Sequence, residues 1–200
     1  MTGKTMALQA LLRGWPSEAI DMTQGAFERA KDVAAPRVLA FTKLIEARAH
    51  GRAGDTRAAF RALAESEHLI GRACPDSEPD WINYVTHTRM SSDAVEISRD
   101  LHNPKAALAW NNQAAATPAG LYTRSVGLRL TVVGTVHLQA RDLDQGLELG
   151  HQAVTILSRV QSTRALDYVR DFTTALQPWR TEQRVQDFLH HARTELALAS

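Results

Sequence analysis

Cysteine is almost absent from this chain. Cys74 stands alone among 200 residues, so no internal disulfide can form and no thiolate cluster can hold zinc. Nothing in sequence gives Cys74, which precedes Pro75, a fixed basic partner that would lower its thiol pKa. Long apolar runs are missing as well. The opening stretch MTGKTMALQALLRGW is interrupted by Gln9 and ended by Arg13, too short and broken for a secretory leader or a membrane span. Charge of one sign is also missing: 23 Lys and Arg stand against 22 Asp and Glu, a formal charge of +1. A broad phosphate-binding surface needs clustered cations, so direct nucleic-acid binding is not expected. There is no glycine-rich loop followed by Lys-Ser or Lys-Thr, no H-E-x-x-H and no G-x-S-x-G. These absences lead to the expectation of a soluble, cytoplasmic chain that is not an enzyme and carries neither metal nor cofactor.

The eight histidines do not change that reading. His190 and His191 are adjacent and point to different sides of a helix, while His50, His87 and His137 lie tens of residues apart. Asp76, Glu78 and Asp80 alternate like the start of a calcium loop, but Trp81 takes the place of its glycine and His87 that of its closing glutamate.

What the sequence does contain is helical periodicity. Hydrophobic residues at 44% and charged residues at 22% are ordinary globular values. In RVLAFTKLIEARAHGRAGDTRAAFRALAESEHLI, residues 37–70, Val38, Phe41, Leu44, Ile45 and Ala49 form one apolar stripe, and Phe60, Leu63, Leu69 and Ile70 form a second. Gly54 suits a left-handed helix end, and Asp55 or Thr56 suits the cap of the next helix. The pattern predicts a helical hairpin, and a lone hairpin cannot bury both stripes. Small residues mark its neighbours. Ala47 precedes Ala59 by twelve residues across the turn, as Gly134 precedes Gly146, Ala7 precedes Ala19 and Val95 precedes Ala107. The second members recur at 19, 59, 107 and 146, steps of 40, 48 and 39, which signals stacked helical pairs.

The predicted fold is all-α, a right-handed α-solenoid of about ten helices in a single domain 1–200. Hairpins are expected over about 2–33, 37–70, 80–116 and 120–159, followed by helices over about 162–176 and 181–198. Within this scheme Trp81 to Leu101 reads as one long helix of mixed polarity, either an exposed end or the wall of a groove. Asp80 or Glu78 is expected to favour its start. Pro36 separates the first two hairpins, Thr117-Pro118-Ala119-Gly120 precedes the fourth, and Gln177-Pro178 ends the helix before the last. The helix Leu121 to Gln139, the most apolar, is expected to be central.

GRAGDTRAAFRALAESE and QARDLDQGLELGHQAVTIL resemble the turn and second helix of tetratricopeptide repeats, whose usual length is about 34 residues. The usual aromatic positions are filled by His50, Ser98 and His137. The order of hairpins, the linker GRACPDSEPDWINYV and the ending TTALQPWRTEQRVQDFLHHARTEL resemble the C-terminal helical-repeat region of actinobacterial helix-turn-helix transcriptional regulators. That resemblance implies a sensor module for a protein or peptide partner, or for a small signalling ligand, without its DNA-binding domain. The alternative is a stand-alone scaffold that joins other proteins. An uncapped first hairpin, with Leu8, Leu11, Leu12 and Trp15, leads to the expectation of a homodimer. A ligand is expected along the first helices of successive hairpins. There, residues one step past the small positions, and those a turn away, share a face: Arg48, Arg89, Glu96, Arg99, Thr131 and Thr135. The three arginines can fork onto a carboxylate.

Overall fold

One local device recurs along the backbone: a helix ends, a single residue turns left-handed, and the residue after it starts the next helix. The left-handed residues are Gly14 (φ 81°), Gly54 (φ 79°), His102 (φ 52°) and Arg141 (φ 66°). Their separations of 40, 48 and 39 residues are those of the small residues in the sequence. At three of them the following amide donates to a carbonyl five residues earlier: Trp15 to Ala10 (3.0 Å), Asp55 to His50 (3.0 Å) and Asp142 to His137 (2.9 Å). Asp55, Asn103 and Asp142 then accept from the amides of Ala58, Ala106 and Gln145 at 2.9, 3.1 and 3.1 Å. Each such cap contributes about 1 kcal/mol. Trp15 has no capping side chain, and Pro16, whose fixed φ suits a first helical turn, follows it instead.

A computed structural model describes residues 2–74, 78–114, 123–160 and 162–196. Pro75, Asp76, the Thr117–Gly120 break and Leu121 lie outside the described residues, as do positions 197 and 198 of the last predicted helix. The described residues form ten α-helices and no strand. The chain gathers into two compact units, Met1–Leu101 and His102–Ser200.

The first unit holds α1 (Thr2–Leu12), α2 (Pro16–Ala30), α3 (Pro36–Arg52), α4 (Thr56–Gly71), a 3-10 turn at Asp80–Ile82 and α5 (His87–Asp100). Helix α3 is its axis, packed against α1, α2, α4 and α5. The paired small residues lie at the crossings: Ala7, Ala19, Ala47 and Ala59 are all buried. Leu44 and Ile45 are buried alongside them, each worth about 2 kcal/mol of apolar burial. Because four helices surround α3, its buried surface is wider than the predicted stripe and takes in Thr42, Glu46 and Arg48.

The second unit holds α6 (Pro104–Gln113), α7 (Thr123–Gln139), α8 (Leu143–Leu157), α9 (Thr163–Ala175), a 3-10 turn at Gln177–Trp179 and α10 (Gln183–Leu196). Helix α7 is central, packed on α6, α8 and α9, and α10 lies on α8. Gly134 and Gly146 let α7 and α8 meet backbone to backbone: a Cβ on either would stand 3.3 or 3.4 Å from the other's carbonyl oxygen. Phe172 and Phe188 fill the core between α8, α9 and α10, with ring centroids 5.3 Å apart.

Two expectations are corrected. The helix predicted from Trp81 to Leu101 is broken, because Thr86 takes an extended backbone and its hydroxyl accepts from the Arg89 amide at 3.2 Å, capping α5 at His87. Glu78 serves an earlier helix than expected: its Oε1 accepts from the backbone amide of Arg37 at 3.1 Å, in the first turn of α3.

Candidate partner-binding site

Helix α5 carries charge on the side that meets α3, and the two helices neutralise each other. Arg48 of α3 lies between Asp93, at 3.2 Å, and Glu96, at 2.6 Å. Arg89, one turn before Asp93 on α5, binds the other oxygen of that carboxylate through Nε at 2.8 Å. Further along, Arg99 and Arg52 both bind Asp100, at 2.7 and 2.9 Å. Arg48, Asp93 and Arg99 are 8%, 3% and 3% exposed, so the pairs sit where an unmatched charge costs several kcal/mol. Arg89 and Arg52 reach the surface with 42% and 41% of their side chains exposed. The Asp93 carboxylate holds the Arg89 guanidinium above its already high pKa, against the smaller effect of burial. Burial raises the phenol pKa of Tyr84, which lies within reach of the Arg89 charge and edge-on to Phe41 at 5.7 Å.

Of the six residues predicted for the site, Arg48, Arg89 and Glu96 therefore share one ion network. Arg99 lies beyond it on the same helix, with Asp100. Sequence reasoning missed Asp93 and Asp100, the carboxylates that hold the arginines; the signal available was the four-residue spacing of Arg89 and Asp93. Thr131 and Thr135 belong to α7 in the second unit. Both are buried, and their hydroxyls donate to the carbonyls of Gly127 and Thr131 at 2.9 Å each.

A cleft of about 330 Å³ opens on another flank of α3, among α2, α3 and α4, lined by Gln24, Phe27, Glu28, Lys43, Glu46, Arg61, Ala62 and Glu65. Lys43 fills its charged floor: the ammonium binds Glu46 at 3.0 Å and Glu65 at 3.1 Å and stands 4.1 Å over the Phe27 ring. Burial alone would lower the Lys43 pKa, but the two carboxylates outweigh it and raise the value. The cleft thus already contains the cation its carboxylates suit.

His50 and His137 occupy matching places before their turns, as the repeat predicts. His137 Nδ1 lies 3.1 Å from the capping Asp142, and His50 lies 3.8 Å from Glu46. Among the described residues no cluster of three His, Cys, Asp or Glu could hold a metal, and no helix is long and apolar enough to cross a membrane. Of the four residues expected in a dimer contact, Leu11 is buried and Leu8 partly so, in a cluster with Ile45 and Ala49. Leu12 and Trp15 remain half exposed.

No known protein family and no curated protein matches the chain. Among solved structures it is similar to a kinesin light chain-like protein of Podosopora anserina with nearly identical TPR-like repeats. That match has a TM-score of 0.52 at 14% identity and covers 98% of this chain and 94% of that one. A singly substituted form of the same protein matches with a TM-score of 0.53 at 14% identity, covering 98% and 93%. At that identity the likeness speaks to the fold, which is that of TPR-like helical repeats.

Proposed function

We propose that the chain is a protein-interaction scaffold and that its partner places an acidic side chain or a chain terminus on Arg89. The observation that carries this reading is the state of that guanidinium. Its Nε is bound to the buried Asp93, itself fixed by Arg48, and the side chain remains partly open to solvent. An arginine held in this way has little freedom left to lose, and its open edge can donate to a carboxylate at two points. Tyr84, half exposed beside it, adds the kind of aromatic surface that anchors protein contacts. Arg48 and Glu96 then act as positioning residues behind the contact.

The regulator reading is a narrower form of the same proposal. It rests on the resemblance of the linker and the ending to helix-turn-helix regulators, and an in-frame helix-turn-helix sequence encoded next to this region would support it. The scaffold itself is tested by capturing a partner on the immobilised chain, identifying it, and measuring its affinity for wild type and Arg89→Ala. We expect about tenfold weaker binding, or about 1.4 kcal/mol, with helicity unchanged. Arg89→Lys, which keeps the charge but loses the fork, should fall between the two. Equal affinity for all three would place the contact elsewhere.

A further inference from the structure

Helix α10 is held on α8 by an apolar stripe and flanked by one histidine from each helix. Val185, Phe188 and Ala192 are fully buried beneath it. On α8, the His151 ring stands edge-on to Phe188 at 4.9 Å and 5.6 Å from the ring of His191 on α10. We propose that His151 and His191 form a proton-operated latch that loosens the C-terminal half of α10 when both rings are charged.

Several features favour this. The two imidazoles face each other across a helix interface, so neutral rings pack there and two cations repel. Partial burial, and then the charge of His191, lower the His151 pKa, while Glu148 on its own helix opposes them. Glu148 is already engaged by Gln152 at 2.8 Å. The charged groups that act on His151 are His191 across the interface and Glu148 on its own helix, and Asp187 and Glu195 stand about one turn either side of His191 on α10. The opposite end of α10 is tied differently: Arg184 pairs with Asp144 of α8, a contact without a histidine. Loosening is therefore directed to the His191 end. The sign follows from linkage. A folded state that depresses a histidine pKa binds protons less well than the opened one. Docking is complete above the free imidazole value of about 6.5 and weakens as pH falls below it. His190, next in sequence to His191, is turned about 100° from it around α10 and has no part in the latch.

The test uses the full chain, with histidine ring signals followed by NMR through a pH titration and His151 identified by its loss in His151→Gln. Amide protection of residues 189–194 is compared with that of α9 across the same range. In wild type, His151 should titrate below the free value, and α10 protection should fall relative to α9 as the solution is acidified. In His191→Gln, the His151 midpoint should rise and the selective loss of protection should disappear. His151→Gln should remove the same selective loss, which keeps the test valid if the other variant folds poorly. An unchanged His151 midpoint in His191→Gln, or selective loss of α10 protection persisting in His151→Gln, would overturn the latch.

Discussion

Replacing Gly146 with alanine puts the hairpin crossing to a quantitative test. The new methyl carbon would stand 2.5 Å from Leu138 Cδ2, 2.9 Å from Leu138 Cγ and 3.4 Å from the Gly134 carbonyl oxygen. Leu138 is 2% exposed and packed within the cluster around Phe172, so it cannot swing into solvent. Overpacking of this kind costs about 1–3 kcal/mol. Alanine is the better helix former by about 1 kcal/mol, which opposes the clash without cancelling it. Net of that gain, the expected loss is up to about 2 kcal/mol, a fall in Tm of up to about 8 °C at the usual scaling for chains of this length. Gly71 in α4 is the control, because a Cβ there meets nothing within 4 Å. Gly71→Ala should leave Tm unchanged or raise it. The assay is thermal unfolding by circular dichroism or calorimetry on the two variants and wild type. If Gly146→Ala is as stable as Gly71→Ala, the close approach of α7 and α8 at this glycine is wrong.

Three further outcomes are expected. Arg48→Ala strips a partner from both Asp93 and Glu96 and should cost about 3 kcal/mol in denaturant unfolding, while adding Asp93→Ala should cost less than the sum of the two single changes. The Ser98 hydroxyl is fully buried without a hydrogen-bond partner among the described residues, so Ser98→Ala should hold stability or raise it by up to about 1 kcal/mol. The Gln145 amide, and then His137, hold the Asp142 carboxyl below its usual value of 3.8. Its cap is thus intact above that pH and lost as pH falls through the lowered value, and the Tm difference between wild type and Asp142→Asn should shrink on acidification.

Much of the fold was legible because the turns are written locally. Gly54 with Asp55, and the twelve-residue spacing of Ala47 and Ala59, need only helix geometry and a cap to be read, and the same spacing located Gly134 and Gly146. His102 and Arg141 were harder, since neither residue advertises a left-handed backbone; the repeat, rather than residue type, points to them. The site was legible in part. Arg48, Arg89 and Glu96 fall on facing sides of α3 and α5, as periodicity says. The mixed polarity of the Trp81–Leu101 stretch points to an exposed end or the wall of a groove, yet Ser91, Asp93, Ser98 and Arg99 are buried. Charge in a sequence signals solvent only when no opposite charge waits on a neighbouring helix, and the pairing of Arg48 with Asp93 spans 45 residues that no local pattern connects. The break at Thr86 escaped for a related reason, because a threonine inside a helical pattern gives no sign of which amide its hydroxyl will take.

The claim on which the rest depends is that one hairpin turn is repeated along the chain, so the most direct measurement is the backbone conformation of His102 and Arg141. In isotopically labelled protein, the intraresidue amide-to-Hα cross-peak and coupling of each report the sign of φ. Positive φ at both residues, matching Gly14 and Gly54, is the result expected; negative φ at either would break the repeat and the register of every helix assigned by it.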